Sequence, residues 1–192
     1  DLSDLQDRLP PFPGTEARVA IETEFGKPVC DLFAEFDDTP VAAASIAQVH
    51  FAVTADGQEV AVKVLRPDIE EAFAQDLDLL HWGAELVERT RPNLRRLKPR
   101  EVVATLATTV EMEMDLRFEA AAAVEIAENF EGDKDFKVPN VDWNRTGRRV
   151  MTTERIAGVS LDDRDGIEAA GFDPLDITAK AAQTTFKQVF RD

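Results

Sequence analysis

The sequence predicts an α+β fold in which a small antiparallel sheet is combined with long helices. Three observations predict it. Two β-rich segments, residues 46–53 and 59–65, flank Thr54-Ala55-Asp56-Gly57, and Asp-Gly is a hairpin signal. Apolar residues at Ile69, Phe73, Leu77, Leu80, Ala84 and Val87 keep the 3.6-residue period of a helix. A second stripe, Leu106, Val110, Met114 and Phe118, repeats every four residues inside a helix expected from about Arg100 to Phe130.

The remaining elements follow in order. Residues 1–14 read as a helix tail and then a Pro-rich turn. Thr15 can cap a short helix to about Phe25, which Gly26 and Pro28 close. Residues 32–36 are a short strand candidate, followed by the small-residue run Ala42-Ala43-Ala44-Ser45. Pro67 suits the first turn of the first long helix. Pro92 and Pro99 punctuate the connector to the second, which Gly132 ends. Val138-Pro139 opens another β region, and residues 148–156 form a strand stopped by Gly158. A last helix runs from about Pro174. The expected order is helix, three strands, two helices, two strands, helix. The chain starts without Met, opens mid-pattern and stops at Arg191-Asp192, so it reads as a fragment of something longer.

Composition narrows the function. A length of 192 residues fits one domain, or one small lobe plus part of another. With 44% hydrophobic and 31% charged residues, the chain is globular rather than disordered. A net charge of -16 repels phosphate backbones and argues against nucleic acid as a partner. It argues equally against docking on an anionic membrane. Cys30 is the only cysteine and cannot form an internal disulfide, and with two histidines a Cys/His metal site is not expected. A reducing compartment fits this cysteine usage. No apolar run approaches the roughly 18 residues of a membrane span.

Lys63 is the first candidate for chemistry. It lies two residues after Ala61 on a strand of small and apolar residues, so its stem would run along the sheet. A buried ammonium is costly unless paired. A helix carboxylate or the phosphates of a nucleotide would satisfy it, and the protein-kinase signature V-A-I-K uses both. Val60-Ala61-Val62-Lys63 matches that signature with one conservative change. The other reading is a lysine on an exposed strand face. Upstream, where a kinase has a Gly-rich loop, this chain has Ala42-Ala43-Ala44-Ser45. Alanine disfavours the positive φ that glycine permits, so the loop should be stiffer and differently shaped. Glu111, Asp115 and Glu119, spaced by four, would share one face of the second long helix. Three like charges in a row cost helix stability unless a basic group or a metal-bound phosphate lies nearby. A solvated helix face is the alternative.

Together, residues 10–13 (PPFP), 42–50 (AAASIAQVH), 56–67 (DGQEVAVKVLRP) and 113–120 (EMDLRFEA) resemble the UbiB family of atypical kinases, also called AarF-domain proteins, with alphaproteobacterial members most similar. The resemblance implies a protein-kinase-like fold. Residues 1–157 would be its N-lobe, with a small antiparallel sheet, long helices and a family-specific N-terminal helical extension. Residues 158–192 would be the hinge exit and the first helices of an incomplete C-lobe. It implies ATP or ADP as the cofactor, with magnesium held by residues downstream of this chain and no metal ligand within it. Ala42, Ala43, Ala44 and Ser45 match the family's Ala-rich loop, and Ala61 and Lys63 its strand lysine motif. Glu113 and Asp115 match its E-x-D motif. Glu119 is the first choice of partner for Lys63 and Glu113 the second. Backbone groups from Glu154 to Ile156 would meet the adenine.

The family is tied to ubiquinone biosynthesis by ATP hydrolysis. That implies quinone-pathway proteins or lipids as partners and a cytoplasmic location, peripheral at the inner membrane for a full-length protein. The family's K-x-G-Q motif, its H-x-D-x-H-x-G-N-type catalytic loop and its D-F-G-like metal motif are absent from these residues, so no turnover is expected of them alone. The alternative function is a pseudokinase-like module that binds lipid or partner proteins under nucleotide control. An acidic helical scaffold is the third option.

Overall fold

The computed structural model describes residues 10–161 and 163–190; the helix tail expected within residues 1–9 lies outside them. Helix α1 (Gly14–Phe25) buries Ala17 and Ile21, one turn apart, against the sheet. Its N-cap position is Pro13, with no side-chain cap, so Thr15 lies inside the helix and does not start it. Gly26 ends it at φ 64°, a left-handed conformation that glycine adopts without strain, and donates its N–H to the Glu22 carbonyl. A single turn, α2 (Val29–Leu32), leads into β1 (Phe33–Phe36).

The sheet is antiparallel, with β1, β3 (Ala47–Thr54), β4 (Glu59–Leu65) and β5 (Val150–Glu154) side by side. The short β2 (Ala42–Ala43) pairs with the first half of β3 and β1 with its end. Four strands therefore precede the long helices, not three, because half of the alanine run joins the sheet. The β3–β4 hairpin forms where Asp-Gly placed it. Gly57 sits at φ 84° and donates to the Thr54 carbonyl at 3.0 Å.

The two faces of the sheet have different covers. One packs against α1, with Phe12, Ile21, Phe33, Val62, Val64 and Val150 in the core. Strand β3 turns Gln48, His50 and Thr54 toward that covered side, and all three are at most 1% exposed. On the other face, Ala47, Leu65 and Met151 pack against Leu116 and Ala120 of the following helical layer.

Helix α3 (Ile69–Thr90) begins two residues after Pro67 and packs along α4 (Pro99–Glu113), with a 3-10 segment (Pro92–Leu97) at the prolines between them. The expected helix from Arg100 to Phe130 is in fact two. It breaks at Met114 and Asp115, and α5 (Leu116–Asn129) starts afresh with Asp115 as its N-cap. Aspartate in a helix interior competes with its own backbone, and here it caps instead. The break removes the shared face expected for Glu111, Asp115 and Glu119. It also takes Phe118 off the apolar stripe, where it is 56% exposed while Met114 and Leu116 are buried.

The strand expected at Val138-Pro139 reduces to one isolated bridge, Val141 to Thr153. After β5, α6 (Arg164–Ala169) and α7 (Pro174–Phe190) complete the described chain. Helix α7 buries no residue and is tied down by Lys180–Asp135 and Lys187–Asp133 ion pairs. No helix among the described residues is long and apolar enough to cross a membrane.

Candidate functional site

Lys63 and Glu119 meet across the sheet–helix junction. Lys63 is on β4, opposite Val49 of β3 and Met151 of β5, on the face that α5 covers. The restart of α5 at Asp115 brings Glu119 onto its first turns, directed at the sheet. The Lys63 Nζ donates to Glu119 Oε1 at 2.8 Å and to Oε2 at 2.6 Å. Of the two carboxylates weighed for Lys63, Glu119 is the one that meets it. The side chains are 30% and 48% exposed, so solvent screens the pair, and it contributes about 1 kcal/mol or less to stability. An ammonium carries three N–H groups, and one remains for another acceptor after both oxygens of Glu119 are engaged.

Beside this pair the sheet is only half-covered. Val49, Phe51, Ala61 and Thr153 lie on the Lys63 face and are each partly exposed, forming an apolar strip beyond the reach of α5. The Arg155 guanidinium stands over the Phe51 ring at 3.9 Å and pairs with Glu59. Such a strip next to a cation suits a flat apolar ring carrying an anionic tail.

Ala42, Ala43, Ala44 and Ser45 sit at the edge of this strip as β2 and the turn into β3. Ala44 donates to the Ala47 carbonyl at 2.8 Å. The only described non-glycine residues at positive φ are Asp68 and Lys98, so the alanine turn is made without left-handed backbone. It is held from behind by Arg66. That residue's N–H donates to the Ile46 carbonyl at 2.8 Å, and its guanidinium donates to the Ala44 carbonyl at 3.1 and 2.9 Å and to Pro10 at 3.2 Å.

The chain leaving β5 passes the far end of the strip. Glu154 donates its N–H to Asn140 and Arg155 to Glu59, while the Ile156 N–H has no partner among the described residues. The Glu154 side chain engages Lys137 and Asn140. The Lys137 hydrogen bond holds its carboxyl below the usual glutamate range.

Asp115 and Glu113 form no ion pair with Lys63 among the described residues. Glu113 is exposed at the end of α4 and forms no ion pair among the described residues. Asp115 accepts the Arg117 N–H and both arms of its guanidinium, which lowers its pKa. No cluster of three or more His, Cys, Asp or Glu among the described residues is placed to hold a metal ion.

Sequence reading gave no role to Arg66 or Gln48, and placed His50 in the hairpin without a partner. Gln48 and His50 alternate with valine and phenylalanine on one strand, which gives them a solvent-facing appearance. The missed signal is the position of Gln48 and His50 between an alanine run and a lysine strand, with an arginine ending the hairpin.

Three comparisons place this geometry among known proteins. Residues 4–192 match the ABC1 atypical kinase-like domain. The chain is 46% identical over 192 residues to a probable protein kinase UbiB of Xylella fastidiosa (strain M12), covering all of this chain and 35% of the relative. It is 45% identical over 191 residues to a probable protein kinase UbiB of Marinobacter nauticus, again covering all of this chain and 35% of that protein. The chain thus spans about a third of the length of these relatives. Among solved structures, the complex of Rv3197 with erythromycin from Mycobacterium tuberculosis is similar with a TM-score of 0.70 and 33% identity, over 84% of this chain and 39% of that one. The matched family model is that of a kinase-like domain, and the solved structure shares the fold of this chain.

Proposed function

This chain belongs to the ABC1 atypical kinase-like domain family, and we propose that it forms the nucleotide-holding part of an ATP-binding unit. The observation that carries the proposal is the Lys63–Glu119 pair beside a half-open apolar strip. Glu119 orients the ammonium, and the third N–H of Lys63 reaches an oxygen of the α or β phosphate. The adenine lies on Val49, Phe51 and Ala61, with the free Ile156 N–H at its edge. Residues 42–45 cover the phosphates. In this reading residues 1–157 are the small lobe with its N-terminal extension, and residues 158–192 lead into a larger one.

Magnesium and the groups that cleave ATP belong to the remainder of the protein, so these 192 residues bind nucleotide without turning it over. The UbiB resemblance extends the proposal to the whole protein as an ATP-dependent factor in ubiquinone biosynthesis, peripheral at the inner membrane and in contact with quinone-pathway proteins or lipids.

The test is thermal unfolding with ADP or ATP and magnesium. Ligand at about 100 times its Kd adds about 2.7 kcal/mol to apparent stability. The expected result is such a shift in the wild-type chain and none in Lys63→Ala, which itself loses about 1 kcal/mol or less. No shift in the wild type, or the same shift in both, would contradict the proposal. ATP turnover by this chain that vanishes in Lys63→Ala would overturn the claim that it only binds.

A further inference from the structure

The alanine turn takes its orientation from a residue outside it. The Arg66 guanidinium holds the Ala44 carbonyl through Nε and Nη2, and the Arg66 backbone N–H holds the Ile46 carbonyl. The same guanidinium reaches the Pro10 carbonyl and lies 5.8 Å from the centre of the Phe12 ring. Phe12 belongs to the core on the α1 face of the sheet, opposite Lys63. The Ala44 carbonyl is therefore drawn toward the α1 side.

A trans peptide directs its N–H away from its carbonyl, and no described peptide bond is cis. The Ser45 N–H consequently faces the Lys63 side. It has no hydrogen-bond partner among the described residues. A free backbone N–H on the side of the sheet that carries an ammonium is a donor suited to a phosphate oxygen.

The anchor of Arg66 is itself fixed. Phe12 donates its N–H to Gln48 Oε1 at 3.1 Å, and Gln48 Nε2 donates to the Phe12 carbonyl at 3.1 Å. Gln48 is 1% exposed, and its amide also meets His50 Nε2 at 2.9 Å. The segment at Pro10–Phe12 is thus latched to β3 and presents the Pro10 carbonyl to Arg66.

We propose that Arg66 is the positioning residue of the alanine turn: by holding the Ala44 carbonyl against the latched Pro10–Phe12 segment, it aims the Ser45 N–H at the phosphates of a nucleoside di- or triphosphate. This rests on the nucleotide-binding reading above. It adds the residue that shapes the turn and makes the N-terminal segment part of phosphate recognition. Glycine loops reach phosphate through backbone freedom, whereas this turn, made of residues that avoid positive φ, needs an external clamp to present its N–H.

The experiment measures the affinity of the 192-residue chain for ADP and for adenosine, by displacement of a fluorescent ADP analogue, in wild type, Arg66→Ala and Arg66→Lys. Adenosine lacks phosphates, so it reports on the apolar strip alone. The expected result is at least tenfold weaker ADP binding in Arg66→Ala with adenosine changed less than twofold. Arg66→Lys keeps the charge but loses the planar fork, and should recover little of the loss.

Equal weakening of ADP and adenosine would make Arg66 a general structural support and overturn the proposal. Full recovery in Arg66→Lys would show that charge alone is needed, and would overturn it too. Unchanged ADP affinity in Arg66→Ala has the same consequence. Absence of ADP binding in the wild type sinks the nucleotide reading itself, an outcome distinct from these three.

Discussion

His50 illustrates how a residue without a role in chemistry can be fixed by the site around it. Its Nδ1 lies 2.8 Å from the Asp37 carbonyl, which only accepts, so Nδ1 carries the hydrogen and Nε2 accepts from the Gln48 amide. The imidazole is neutral in this arrangement. Burial pushes its pKa below the ordinary 6.5, with the Asp37 hydrogen bond opposing. A proton on Nε2 would face the Gln48 NH2 group, donor against donor. As pH falls, the unfolded chain takes up the proton first. His50 therefore leaves stability intact above about pH 6.5 and lowers it below that value, until the folded protein is protonated as well. Unfolding midpoints followed from pH 7 to 5.5 should fall in the wild type and fall less in His50→Asn, each referred to its own value at pH 7. Parallel curves would show that His50 does not titrate in this linkage.

At the scale of elements, the hairpin and the helix break show what the sequence discloses and what it hides. The β3–β4 hairpin was readable because Asp56-Gly57 supplies the turn and Val60, Val62 and Val64 supply the alternation. Lys63 stood out on that strand as the one basic side chain. The face that β3 buries was not readable, since Gln48, His50 and Thr54 point inward and Val49, Phe51 and Val53 are only half-buried. Inward polar groups are stable there because each finds a partner: Thr54 meets Gln58 within the hairpin, while Gln48 and His50 depend on Phe12 and Asp37 arriving from elsewhere in the chain.

The break between α4 and α5 was hidden for a similar reason. An apolar stripe and carboxylates spaced by four continue smoothly through Asp115, and local pattern favours one helix. Tertiary packing decides otherwise. Leu116 donates its N–H to the Arg148 carbonyl beside β5, which stops α4 and sets the register of Glu119. Asp115 is then a cap, with its side chain on the Arg117 N–H. Asp115→Ala should cost about 1 kcal/mol in denaturant unfolding, and Asp115→Ser, which preserves a capping oxygen, should restore most of it. Equal loss in both would mean that the Arg117 ion pair, not the cap, is what Asp115 provides.

For the whole molecule, the division between a well-packed sheet and a loosely attached end follows from where apolar surface is covered. The sheet is covered by α1 on one face and in part by α5 on the other, whereas α7 leaves Leu175, Phe186, Val189 and Phe190 exposed and is tied mainly through lysine–aspartate pairs. Exposed apolar patches promote association. Light scattering of this chain should show a mass that rises with concentration, reduced by Phe190→Glu. A monomer at all concentrations would refute this.

In the proposed complex Lys63 touches the phosphates of a bound adenine nucleotide. The most direct measurement uses an ADP acyl phosphate, which transfers its acyl group to a lysine amine close to the phosphates and releases ADP, followed by peptide mass spectrometry. The expected result is acylation concentrated on Lys63, blocked by excess ADP and not by adenosine. Acylation scattered over surface lysines such as Lys98 and Lys137, with Lys63 unmarked and no protection by ADP, would contradict it.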